Sequence, residues 1–311
     1  MMQLKNKKVM VLGCNNNQVP YIESIKLLGA SVIGTDLNQN APGKAICDKF
    51  FNVGYDDYEG LTNCLNTANP DYLFSAAAQF SYLGISHLAE KLGLDFPNLK
   101  SVSLCLDKRQ FYDEFKNYNI PIPVTHYVKN ESELTSLVLK ESKVFESFYL
   151  KSDHSKNPNY IYKFNKKDNL ESLKINWTKD RYFKDYYILQ NEFFGEHLRI
   201  NMYENFCNVY KFSEKNGFLP SKKSVEKVKS AGIFEKLYEF RKNHKLHRLL
   251  TKYDVVLNES NEFVVLDIGL DPPYRMKHDL MRLGYSFPDL YVQQYLNQEI
   301  NYPVLENSIC Y

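Results

Sequence analysis

From Lys8 onward, short apolar runs alternate with amphipathic stretches, the pattern of a parallel sheet covered by helices. The run 9–13 predicts a first strand, 19–28 a helix, and 31–36 a second strand that closes on a carboxylate, Asp36. Further strands are predicted at 50–53 and 72–75, with helices at 56–65 and 80–92. A doubly wound domain of this kind is expected to place its ligand in the crevice beyond the carboxyl ends of its strands.

A helix led by Leu106, Asp107 and Lys108 is predicted to run to about 119 and to stop before Ile120-Pro121-Ile122-Pro123, where two prolines disfavour further helix. Beyond this boundary, apolar runs at 148–151, 160–164, 187–194, 198–203 and 208–212, interspersed with short helices, predict a mixed α+β region with antiparallel pairing. A charged-faced helix is predicted at 236–250, then a hairpin of 253–257 with 262–268 around Asn258-Glu259-Ser260-Asn261. The expected organisation is therefore α/β followed by α+β, with a Rossmann-like first domain.

Composition narrows the partners. The 311 residues exceed one ordinary core, and 44% hydrophobic content with 24 Tyr and 20 Phe supplies apolar material for several. A net charge of only +2 gives no chain-wide field for nucleic acid or an anionic membrane, so a small-molecule partner is expected. Six cysteines without a CxxC pair fit a reducing compartment, and the polar start with no long apolar run points to a cytoplasmic protein. Assembly into a homodimer is left open.

Two sequence features bear on chemistry. The loop Gly13-Cys14-Asn15-Asn16-Asn17-Gln18 follows the first strand but lacks the second and third glycines of a dinucleotide turn, which argues against an NAD(P)-dependent oxidoreductase. Asp254 and Asp267 lie thirteen residues apart on two paired apolar strands. Acids so flanked need a cationic partner, and hard carboxylate oxygens suit Mg²⁺ carried by a nucleotide; two strand-end acids facing water are the plainer reading.

Taken in order, these segments resemble the ATP-grasp superfamily, which includes biotin carboxylase and D-alanyl-D-alanine ligase. The stretch from Lys8 through Gly34-Thr35-Asp36 to Asp48-Lys49-Phe50-Phe51 is similar to the pre-ATP-grasp domain of the carboxylase and purine-biosynthetic branches. Asp107-Lys108 with the following Pro-rich segment, and Phe148-Tyr149-Leu150-Lys151, resemble the two family segments whose lysines bind phosphates, which implies that role for Lys108 and Lys151. Residues 188–197 resemble the connection that holds adenine: the resemblance implies Gln190 facing the base, Asn191 to Phe193 as the backbone edge, and Glu196 or His197 at the ribose. Asp254 and Asp267 match the two metal-binding acids.

The resemblance implies a Rossmann-like pre-ATP-grasp domain over 1–105, an ATP-grasp small lobe over 106–185 and a large lobe with the metal site over 186–311; it also implies ATP and Mg²⁺ as cofactors, and phosphoryl transfer to a substrate carboxylate followed by attack of an amine. A carboxylase or kinase of the same fold, or a non-catalytic nucleotide-binding relative, are the alternatives. Three departures stand out. The phosphate-covering loop 152–159 has no glycine; Gly269 replaces the family asparagine, leaving Asp271 as the acid that can substitute for it; and the tail reads Leu270-Asp271-Pro272-Pro273-Tyr274-Arg275. Arg275 remains as a planar fork for a carboxylate or the transferred phosphoryl group. His244 and His247, three apart on the predicted charged helix, read as a solvated face rather than a metal pair.

Overall fold

A computed structural model describes residues 4–76, 78–152, 161–177, 185–203, 206–246, 249–272, 274–296 and 308–310. The first domain comprises β1 (Lys8–Leu12), α1 (Val19–Leu27), β2 (Ser31–Thr35), β3 (Lys49–Phe51), α2 (Tyr58–Ala68), β4 (Tyr72–Phe74), α3 (Ser81–Leu92) and α4 (Leu99–Leu106). Its strands form a parallel sheet in the order β3-β2-β1-β4. Both faces are buried, so alternate residues feed different cores: Val9, Val11 and Val32 pack toward α1, whereas Met10, Leu12 and Ile33 pack toward α2 and α3. Asp57 caps α2 by accepting from the Gly60 amide, and Gly93 ends α3 in the left-handed region.

The second sheet follows α5 (Lys108–Asn117), whose first turn is fixed by Asp107 accepting from the Arg109 and Gln110 amides. It comprises β5 (Thr125–Val128), α6 (Glu131–Glu141), β6 (Ser147–Ser152), β7 (Ile161–Asn165) and β8 (Tyr187–Asn191), antiparallel in the order β5-β8-β6-β7. Leu134 and Val138 of α6 cover one face against Phe148, Leu150, Phe164 and Leu189. The strand at 187–191, assigned from sequence to the larger lobe, thus lies in the middle of the small sheet. Its apolar run cannot reveal which strands it will pair with, because pairing is set by distant partners.

The third unit holds β9 (Glu196–Tyr203), β10 (Phe206–Ser213), β11 (Gly217–Pro220), α7 (Lys222–Ser230), α8 (Ile233–Asn243), β12 (Thr251–Leu257), β13 (Phe263–Gly269), α9 (Tyr274–Arg282), α10 (Phe287–Tyr295) and β14 (Ser308–Cys310). The sheet is antiparallel, ordered β11-β10-β9-β12-β13, with β14 added beside β10. The helix predicted to reach 250 ends at Asn243, where Arg241, fully buried, donates to the carbonyls of Leu246 (3.4 Å) and Leu249 (3.0 Å) and ties down the following turn.

His244 packs on Phe240 and Tyr118 and contacts Glu114 at 3.1 Å, a structural setting; His247 lies outside the described residues. Helices α9 and α10 return to the first domain: Met276, Leu280, Phe287 and Tyr291 join the core of β1 and α1, and the Tyr82 and Tyr291 hydroxyls bond at 2.7 Å. Among the described residues no helix is long and apolar enough to cross a membrane.

Candidate active site

The chain passes from the small sheet to the large one through residues 192–195, and a cleft of about 610 Å³ opens beside this connection. Gly195 lets the chain pass close to the β12–β13 turn: a Cβ there would stand 2.4 Å from the Leu257 carbonyl oxygen. Further ties draw the surfaces together. The Val265 amide donates to the Pro121 carbonyl (2.8 Å), and the Tyr112 hydroxyl donates to the Leu266 carbonyl (2.6 Å).

β6 and β8 supply one wall. Lys151 projects from β6 beside Tyr149 and donates to Gln190 Oε1 (2.9 Å). Gln190 is buried, and its amide is held at both ends, since Nε2 donates to Thr125 Oγ1 (2.9 Å) and Oε1 also accepts from the Tyr112 hydroxyl (3.4 Å). Asn191 fixes the Val124 amide through Oδ1 (2.8 Å), and Phe193 completes this side. Glu192 accepts from Lys163 (2.5 Å) and Tyr149 (3.3 Å).

The floor is the outer face of β9, β12 and β13. Alternation puts His197, Arg199, Lys252, Asp254, Asp267 and Gly269 on the cleft. Arg199 and Asp254 are directly opposite in register and form a two-pronged pair, Nε to Oδ1 at 2.8 Å and Nη2 to Oδ2 at 2.9 Å. Lys108, reaching over from α5, binds Asp267 Oδ1 at 2.8 Å, and Lys252 binds Asp271 Oδ2 at 2.6 Å. Ile161, Val256, Leu266 and Ile268 add apolar lining.

Of the residues singled out from sequence, Lys108, Lys151, Gln190, Asn191, Phe193, His197, Asp254, Asp267 and Asp271 therefore converge on one cleft. Glu196 does not line it: as the strand neighbour of His197 it points the other way, into an ion pair with Lys227 (2.7 Å) and Lys211 (3.4 Å). Arg275 lies on α9, and its side chain and most of the glycine-free loop are outside the described residues. Sequence inspection missed Arg199 and Lys252. Both were accessible to period-two counting, two positions after His197 and two before Asp254.

Burial pushes the Lys151 ammonium down to about 8, with Lys108 adding repulsion and Asp267 and Asp254 offsetting part of it. Burial opposes the Arg199 charge, but the bond and charge of Asp254 outweigh it and raise the group above its ordinary value. Burial lowers His197, with Arg199 and Lys151 acting in the same direction against Asp254; its Nε2 is buried without a partner among the described residues, flanked by Phe212 and Phe218.

Because Lys151 must be protonated to bind an anion, affinity for a polyphosphate should fall as pH rises through about 8. Calorimetry with ATP is expected to show the dissociation constant rising by up to about tenfold per pH unit above that point. Lys151→Arg, charged throughout, should flatten the profile.

The donor set can be tested against ATP and Mg²⁺. The cleft has ligand-sized volume, apolar walls and four cations, Lys108, Lys151, Arg199 and Lys252. Three of these are bound to carboxylates, so a bare anion would strand acids and a bare cation would strand bases. A ligand carrying both signs re-pairs both sets, which is what a phosphate chain with its divalent ion offers. Among the described residues no group of three His, Cys, Asp or Glu side chains could hold a metal alone. Asp254 and Asp267 thus fit an ion shared with phosphate oxygens, not a closed protein cage.

No protein-family model matches the chain. A formate-dependent phosphoribosylglycinamide formyltransferase from Prochlorococcus marinus (strain MIT 9515) is 28% identical over 130 residues, which span 41% of this chain and 33% of that protein. The chain thus matches about a third of that relative's length. Among solved structures, N5-carboxyaminoimidazole synthetase from Staphylococcus aureus complexed with ADP aligns over 97% of this chain and 80% of its own, with a TM-score of 0.73 at 14% identity. The L-amino acid ligase of Bacillus licheniformis covers 94% of this chain and 75% of its own, with a TM-score of 0.68 at 14% identity. Parallel first sheet, small antiparallel sheet and large antiparallel sheet, with the cleft between the last two, give this chain the fold of these synthetase and ligase structures, the ATP-grasp arrangement behind a Rossmann-like first domain.

Proposed function

We propose that the chain is an ATP-dependent carboxylate–amine ligase: it binds ATP with Mg²⁺ in the cleft, activates a small-molecule carboxylate as its acyl phosphate, and lets an amine displace the phosphate. The observation that carries this is the set of three opposed ion pairs, Lys108–Asp267, Arg199–Asp254 and Lys252–Asp271, which suits a ligand bearing both charges. The similar proteins point the same way, since formate is a carboxylate and one structural neighbour is an amino acid ligase.

When bound, ATP supplies the phosphoryl group and Mg²⁺ neutralises its oxygens. In this reading the chain's own residues bind and orient. Lys108 from α5 and Lys151 from β6 hold the phosphate chain, Gln190 fixes the Lys151 side chain, and the residues 191–193 line the base. Asp254 and Asp267 receive the divalent ion, and the family resemblance assigns Arg275, whose side chain lies outside the described residues, to a carboxylate or the transferred phosphoryl group. No residue serves as a covalent nucleophile; catalysis lies in positioning and charge compensation, as phosphoryl transfer generally requires.

Binding to the native state raises the melting temperature by mass action. ATP with Mg²⁺ is therefore expected to give a clear upward shift, ATP with a chelator a smaller one, and NAD or NADP none. A shift with NADP and not with ATP would refute the assignment. ADP release stimulated by a mixture of amino acids and other carboxylates then tests for ligase turnover; nucleotide binding with no stimulation by any acceptor would favour a non-catalytic relative.

A further inference from the structure

We infer that Lys252 is a built-in cation at the Asp271 end of the cleft, standing in for a second divalent ion, so that the site takes one such ion per nucleotide. This rests on the nucleotide reading above. Asp254 and Asp267 face each other across β12 and β13, and one step further along the same pair Lys252 faces Gly269. Period-two alternation keeps Lys252 on the face of Asp254 and position 269 on the face of Asp267. The second tier of the floor is therefore a lysine opposite a residue with no side chain, with Asp271 just beyond.

The space is shared tightly. A Cβ at 269 would lie 3.0 Å from Lys252 Cε and 3.4 Å from Asp271 Oδ1, so any larger residue there requires the end of the lysine side chain to give by a few tenths of an ångström. An oxygen-bearing side chain at 269 would join Asp267 and Asp271 in a three-oxygen set, the kind a hard divalent ion prefers. Glycine removes that donor, and the Lys252 ammonium, 2.6 Å from Asp271 Oδ2, puts positive charge in the same volume. A lysine head is a compact charge with three donors, so it can keep Asp271 and still donate to a terminal phosphoryl oxygen. Asp254 and Asp267 are then left as the acids for a single ion.

The test counts ions directly. Mn²⁺ is titrated into the full chain saturated with a non-hydrolysable ATP analogue, and free Mn²⁺ is read by electron paramagnetic resonance. The wild-type chain should bind one nucleotide-dependent Mn²⁺, Asp271→Asn should still bind one, and Lys252→Met combined with Gly269→Asn should bind two. Two ions in the wild type, or loss of the single ion in Asp271→Asn, would overturn the inference while leaving nucleotide binding intact. A folded double variant that still binds one ion would overturn it as well. If the analogue itself fails to bind the wild type, the nucleotide reading falls and takes this inference with it. Should the double variant not fold, the wild-type and Asp271→Asn counts still decide.

Discussion

Replacing Asp267 by asparagine should reduce turnover on the order of 100 to 1,000-fold while the protein stays folded. On the proposed reading the change removes one negative oxygen at nearly constant shape, and with it both the proposed ligand for a divalent ion and the counter-charge that holds Lys108 at 2.8 Å. The pair is partly open to solvent, at 13% and 39% side-chain exposure, so its loss should cost little stability. Asp254→Asn should be equally inactive but less stable, by about 1 kcal/mol, because it strands the fork of Arg199 in a pair 30% and 23% exposed. Turnover, melting temperature and the Mg²⁺ concentration for half-maximal rate, measured on both variants, check this. Full activity with an unchanged Mg²⁺ requirement would remove the metal role from both acids.

Lys151→Met should separate binding from stability in the opposite sense. Loss of the charge-assisted phosphate contact proposed for Lys151 is expected to weaken ATP binding by about 10 to 1,000-fold. The folded-state pKa lies below the ordinary lysine value of 10.5, so burial disfavours the proton and the native state gains relative stability as pH rises from about 8. Below that range the charged form is held against its surroundings, and methionine relieves the cost. The variant's melting temperature at neutral pH should therefore be unchanged or higher by about 1 to 4 °C, with Gln190 retaining the Tyr112 hydroxyl as a partner. A variant that melts well below the wild type would mean that Lys151 is a structural group and its weak binding a by-product.

The parts of this site legible in the sequence are those at strand ends and caps. Asp107-Lys108 announces a helix start, Lys151 closes an apolar run, and Asp254 and Asp267 interrupt two paired runs, so chain position alone marks them. What escaped depends on which way a side chain turns. Glu196 and His197 are adjacent and were weighed together, yet a strand sends neighbours to opposite faces, and only His197 enters the cleft. The same rule carried forward finds Arg199. Gln190 lines the cleft, and its amide is engaged by Thr125, Lys151 and Tyr112, contacts between elements up to 78 residues apart that no local pattern records. The sheet membership of β8 and the docking of α9 and α10 on the first domain are long-range in the same sense.

That docking bears on how the chain is made. The outer face of α1 is closed by Phe287, Tyr291 and Leu296, and Ser24 hydrogen-bonds Asp289 across a separation of 265 residues. A ribosome that has finished α4 must add nearly two hundred more residues before this cover exists, roughly 10 to 40 s at 5–20 residues per second. During that interval this domain has an apolar flank open to other nascent chains and to chaperones, and it is α9 and α10 that shut it.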